Sequence, residues 1–188
     1  MLYDPNIHHR HTIRLKNYHY TQPGAYFITI CTKAKQCLFG NVINGKMQLN
    51  YLGQIAFNCW QEIPKHYSNT ELDVFVIMPN HLHSILLITE IVGTWQCHVQ
   101  PPRQFSKPVS GSISTIIGNY KSAVSKQINL ILKTKGQSIW QTNYYEHIVR
   151  NEESFNSIRE YILNNPQTWE EDPENTQNEQ EFLIDFPF

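Results

Sequence analysis

At 188 residues, with 40% hydrophobic and 12% aromatic content, the chain suits one folded domain with a proper core. The net charge of −1 conceals an uneven distribution: residues 1–166 carry all 15 Lys and Arg against nine acids, whereas residues 167–188 carry seven acids and no base. No run approaches the ~20 apolar residues of a membrane helix, and no signal-peptide pattern opens the chain, so a cytoplasmic protein is expected.

In chain order, residues 1–24 read as a basic, aromatic arm: His8-His9-Arg10-His11, then Arg14 and Lys16, then Tyr18 and Tyr20. Cations suit phosphates and aromatic faces suit unstacked bases. Residues 25–32 form a β-rich run. Residues 38–43 and 47–49 flank Asn44-Gly45, a hairpin signal. From Tyr51 to Tyr67, Leu52, Ile55, Ala56, Cys59, Trp60 and Ile63 follow helical spacing. Residues 72–77 and 82–88 read as two strands joined by Met78-Pro79-Asn80. Residues 89–111, with three prolines, read as a loop, and residues 112–133 as a helix with one apolar face. Residues 138–148 look β-like. Asn151 caps a helix that Glu152 and Glu153 favour electrostatically and Pro166 ends. Residues 170–188 read as an acidic tail after a single domain spanning 1–169. The four cysteines form no C-x-x-C pair, and free thiols are expected. This order predicts an α+β fold, most economically a ferredoxin-like sandwich with helices packed on one face of an antiparallel sheet.

The chemistry concentrates at Met78-Pro79-Asn80-His81-Leu82-His83. Strand side chains alternate, so His81 and His83 share a face and can ligate one metal; a hydrogen-bonded strand end is the plainer reading. On the last helix, Tyr161 and Asn165 lie four apart and share a face. A tyrosine can serve as an oxygen nucleophile and an asparagine carbonyl as a third ligand, but spacing alone equally allows a core tyrosine and an ordinary helix stop.

Four segments together carry a family resemblance: Tyr26-Phe27-Ile28-Thr29-Ile30-Cys31-Thr32, the 78–83 run, residues 139–148 (IWQTNYYEHI), and Tyr161-Ile162-Leu163-Asn164-Asn165-Pro166. Over residues 10–169 the chain resembles the REP-associated tyrosine transposases, a branch of the single-tyrosine HUH transposases of bacterial insertion sequences. The resemblance implies a metal-dependent single-stranded DNA endonuclease and strand transferase acting at DNA hairpins. It assigns Mg2+ or Mn2+ to His81, His83 and Asn165, and the nucleophile, through a 5′-phosphotyrosine, to Tyr161. Many relatives carry Gln at the position of Asn165. Arg10, Arg14, Lys16, Lys121 and Arg150 are the expected DNA contacts. The resemblance implies a monomer or homodimer, working in the cytoplasm at the bacterial nucleoid.

Three alternatives stand beside it. Tyr144 or Tyr145 could be the nucleophile, although neither has an amide one helical turn on. The chain could be a domesticated hairpin binder that has lost catalysis. A small-molecule zinc hydrolase would use the same histidine pair, but lacks an obvious third histidine and an acidic base.

Overall fold

The computed structural model describes residues 22–89 and 111–175. The arm bearing Arg10, Arg14 and Lys16, residues 90–110 of the expected loop, and tail residues 176–188 lie outside the described residues.

Strand β1 (Gly24–Cys31) runs through the centre of a four-stranded antiparallel sheet. A hairpin follows, β2 (Gly40–Ile43) and β3 (Lys46–Leu49), closed by Asn44 and Gly45 with φ of 51° and 68°. Two successive positive φ values make the turn whose twist matches paired strands, and this is why Asn-Gly occupies it. Helix α1 (Tyr51–Gln61) starts at Asn50, whose side chain accepts the Gly53 N–H at 2.9 Å. Gly53 faces the backbone of the buried Phe39, where a Cβ would lie 2.1 Å from the carbonyl oxygen. The helix expected to run to Tyr67 breaks at Glu62. A short second helix, α2 (Ile63–His66), begins around Pro64, which supplies no N–H for a continuous ladder.

Strands β4 (Thr70–Ile77) and β5 (His81–Ile88) pair antiparallel, with a bulge in β4 between Leu72 and Phe75. Helix α3 (Ile113–Leu132) is capped by Ser112 and ends at Lys133 in the left-handed conformation. Strand β6 (Tyr145–Val149) covers only the end of the segment read as β-like; Trp140 makes one isolated bridge with Thr32. Helix α4 (Glu152–Asn164) is capped by Asn151, which accepts the Ser154 N–H at 2.8 Å.

The sheet order β4-β5-β1-β6 with α1 and α3 as crossovers is the ferredoxin-like α+β arrangement. The core lies between this sheet and α1 and α3. Tyr26, Ile28, Ile30, Leu82 and Leu86 are buried there with Trp60, Ile117 and Tyr120. The Trp60 and Tyr120 rings meet edge to face at 4.8 Å, and the Trp60 N–H donates to Ser84 Oγ at 3.1 Å. The single helical layer expected from the sequence holds α1 and α3. Helix α4 covers the opposite face, with Tyr161 against Phe27 and His83 of the sheet. Among the described residues no helix is long and apolar enough to cross a membrane. Cys31, Cys37 and Cys59 are free thiols; Cys97 lies outside the described residues.

Candidate metal centre and nucleophile

The register that puts Tyr26, Ile28 and Ile30 into the core turns Phe27, Thr29 and Cys31 to the other face. The pairings Thr29↔His83 and Cys31↔His81 put both histidines there with them. His81 and His83 are buried, their ring centroids 4.4 Å apart.

Each imidazole is held by its Nδ1. Asn80, wholly buried, donates its amide N–H groups to the carbonyls of Lys35 at 3.2 Å and Glu174 at 2.6 Å. Its Oδ1 is thereby turned to His81 Nδ1 at 2.8 Å, which must carry the proton. That tautomer leaves a lone pair on His81 Nε2, a buried atom with no hydrogen-bond partner. His83 Nδ1 lies 2.8 Å from Thr29 Oγ1, and His83 Nε2 lies 3.1 Å from the Tyr161 hydroxyl. A Tyr161 O–H donating to Nε2 and an Nδ1–H donating to Thr29 satisfy all three groups. Fixing one ring nitrogen so that the other presents a lone pair is how metal-binding histidines are usually oriented.

Burial lowers both histidines. His81 is pushed down to about 4 by desolvation, against the opposing pull of Asp172, Glu174 and Asn165. His83 falls well below its usual range through burial and then through His81. Both are neutral, as ligands must be, near pH 7.

Helix α4 brings the other half. An ion pair between Arg159 and Asp73 of β4, at 3.0 Å, ties the helix to the sheet. Tyr161 is 43% exposed, with its ring edge to face against Phe27. Burial, then Asp172 and Glu174, raise its pKa to about 12. Asn165, at the helix end, is wholly buried; its N–H donates to Asp172 Oδ2 at 2.5 Å, and its Oδ1 has no donor.

Two residues were not legible as part of the site. Asn80 read as a turn residue, yet it fixes the His81 tautomer. Asp172 was pooled with the acidic tail, yet it is buried and offers a carboxylate oxygen with His81 and His83 in one cluster, the three ligand atoms within 4.8 Å of one another. The signal lay in Trp169, an aromatic soon after Pro166: it marks chain that packs, and its ring sits 5.9 Å from His81. Two imidazoles, an amide oxygen and a carboxylate form a donor set that suits a divalent ion, and the orphaned His81 Nε2 and Asn165 Oδ1 are acceptors that an ion would satisfy. His81, His83 and Asp172 could thus hold a metal ion.

The DNA-contact candidates are scattered. Lys121 on α3 donates to the carbonyls of Gln141 at 2.9 Å and Asn143 at 2.8 Å, and burial lowers its pKa to about 8. Arg150 is exposed just after β6. Of the rival tyrosines, Tyr144 donates its hydroxyl to Glu146 at 2.9 Å, and Tyr145 packs its ring edge against Phe27.

No family model matches the chain. An uncharacterised protein of Haemophilus influenzae is 46% identical over 176 residues, which span 90% of this chain and 95% of that one. The chain belongs to one family with that protein. Among solved structures, a REP-associated tyrosine transposase bound to a REP hairpin matches with a TM-score of 0.53 at 17% identity, covering 93% of this chain and 89% of that one. The family member described here therefore has the fold of a REP-associated tyrosine transposase, the fold that the sequence resemblance implied.

Proposed function

We propose that this chain is a REP-associated tyrosine transposase: a metal-dependent single-strand DNA endonuclease and strand transferase acting at DNA hairpins. The observation that carries the reading is the convergence, in one chain, of two orphaned buried acceptors, His81 Nε2 and Asn165 Oδ1, beside a tyrosine hydroxyl 3.1 Å from His83 Nε2.

His81, His83 and Asn165 would hold the ion, Mg2+ or Mn2+. When bound, such an ion offsets the charge of a phosphodiester and orients it for in-line attack. Tyr161 Oη attacks phosphorus, the Oη–P bond forms, and the bond to the upstream 3′-oxygen breaks. The hydroxyl proton leaves Oη, and the 3′-oxygen takes up a proton. The products are a 5′-phosphotyrosine and a free 3′-hydroxyl. One phosphodiester replaces another, so the reverse step can reseal without ATP. A phenol with its pKa raised to about 12 holds its proton at neutral pH. Once His83 Nε2 gives the ion the lone pair that the hydroxyl now meets at 3.1 Å, the proton would leave Oη to water. The working unit is a monomer or a homodimer.

Arg150 just after β6, Lys121, and Arg10, Arg14 and Lys16 of the arm are the proposed contacts to the hairpin and its flank, and such a substrate would be met in the cytoplasm at the nucleoid. The test is incubation of the full chain with a labelled hairpin carrying a single-stranded flank, with and without Mn2+. The expected result is a denaturation-resistant protein–DNA adduct that requires the ion. Hairpin binding with no adduct under any divalent ion would instead identify a non-catalytic binder.

A further inference from the structure

Asp172 is buried, and among the described residues no lysine or arginine pairs with it. Its neighbour Glu174 is treated differently: Lys35 pairs with it at 3.3 Å and the Cys31 thiol donates to it at 3.4 Å. A buried carboxylate without a cation is costly. The Asp172 oxygens accept the Glu174 N–H at 2.7 Å and the Asn165 amide at 2.5 Å. A carboxylate has about four lone-pair positions, so about two remain. An Asp172 oxygen lies within 4.8 Å of a ring nitrogen of His81 and of His83, and His81 Nε2 and Asn165 Oδ1 are buried and without a donor. His81 Nε2 and Asn165 Oδ1 thus meet a carboxylate that has acceptor capacity to spare, and an ion would relieve all three at once.

We propose that Asp172 is a further ligand of the ion held by His81, His83 and Asn165, and that ion binding is therefore coupled to docking of the strap formed by residues 169–175. This rests on the metal reading above and extends it. The strap is already fastened beside His81 and Asn165 at points independent of Asp172. Lys35 donates to the Pro173 carbonyl at 3.1 Å and Asn80 to that of Glu174 at 2.6 Å, while Asn175 closes the strap on itself by donating to the Trp169 carbonyl at 2.9 Å. A ligand on the strap makes the coupling reciprocal: whatever the docked strap adds to ion affinity, the ion adds to strap docking. Magnesium and manganese prefer six ligands, so four from the protein still leave room for a phosphate oxygen.

The test is calorimetric titration of the full chain with Mn2+, paired with hydrogen exchange over residues 169–175. The wild type should bind one ion, and the ion should slow exchange in the strap. Asp172→Asn should weaken binding by at least about tenfold and abolish that slowing, while Glu174→Gln stays within about twofold. Asp172→Ser gives the same reading should Asp172→Asn prove unfolded by circular dichroism. An Asp172→Asn affinity within twofold of wild type overturns the proposal, as does an equal loss in Glu174→Gln, which would reduce the effect to general strap charge. If His83→Ala abolishes binding while Asp172→Asn retains it, only the role of Asp172 falls. If His83→Ala also retains it, the metal reading falls with it.

Discussion

On one face of β1 and β5, Tyr26, Ile28, Ile30, Leu82 and Leu86 are buried against Trp60 and Tyr120; on the other, one residue away along the same strands, Thr29, His81 and His83 are just as buried beneath α4 and the strap. Equal burial has opposite meanings on the two faces. Removing the apolar set from water stabilises the fold by roughly 1.5–3 kcal/mol for each large side chain. Burying imidazoles, an amide and a carboxylate costs free energy unless every polar atom is paired, and two of these atoms are not. The same ladder is thus a mount on one side and carries a cluster of buried acceptors short of a cation on the other.

The largest effect should come from the chemical face and leave the mount untouched. Tyr161→Phe keeps the ring against Phe27 and loses only the hydroxyl. Adduct formation should disappear altogether while hairpin affinity stays within about twofold, since the proposed phosphate contacts are Arg150, Lys121 and the arm rather than the tyrosine. A persistent adduct mapped by mass spectrometry to Tyr144 or Tyr145 would move the proposed nucleophile to the start of β6 or the residue before it and undo the contrast.

Next in size is the mount itself. Trp60→Ala removes a fully buried indole and leaves Ser84 Oγ without its donor. It should cost about 3–5 kcal/mol in urea unfolding. His81→Gln and His83→Gln, on the other face, should change stability by less than about 1 kcal/mol in EDTA, because relief of desolvation offsets lost packing. Both should still lose Mn2+ binding. Equal destabilisation from the two faces would mean that the histidines are structural.

Acid separates the faces again. Both imidazoles titrate below the ordinary histidine value of about 6.5, so the unfolded chain takes up their protons first. Their contribution is complete above that value and is lost as pH falls through the window toward about 4, the value for His81. Stability in EDTA should fall by up to ~1.4 kcal/mol per pH unit for each imidazole between pH 6.5 and 5. The double variant His81→Gln with His83→Gln should flatten that slope, and an unchanged slope would assign the acid sensitivity to other groups.

How far the sequence reveals each face follows from its chemistry. The apolar face is periodic, so strand alternation and the spacing of α1 and α3 were readable, the β4–β5 pair followed from the turn between them, and the order of strands and helices pointed to the ferredoxin-like arrangement. His81, His83, Tyr161 and Asn165 could be nominated from residue type and resemblance. Asn80 and Asp172 could not, because their roles depend on hydrogen bonds across the fold: Asn80 lies 94 residues from its Glu174 acceptor. The break at Glu62 was in principle legible in Pro64. Placing α4 on the opposite face from α1 and α3 was not, since an amphipathic stripe does not say which side of a sheet it covers.

The smallest effect tests how much of α4 the chemical face needs. Asn151 accepts the Ser154 N–H at the start of that helix, whereas Tyr161 and Asn165 occupy its end. Asn151→Ala should cost about 1 kcal/mol of stability by fraying the first turn. The Arg159–Asp73 pair lies between that turn and the site, so the last turn should keep its place. Adduct yield at saturating Mn2+ should then remain within about twofold of wild type. A loss comparable to that of the His83 variant would show that the nucleophile is positioned by the whole helix, and that the mount extends to both faces of the sheet.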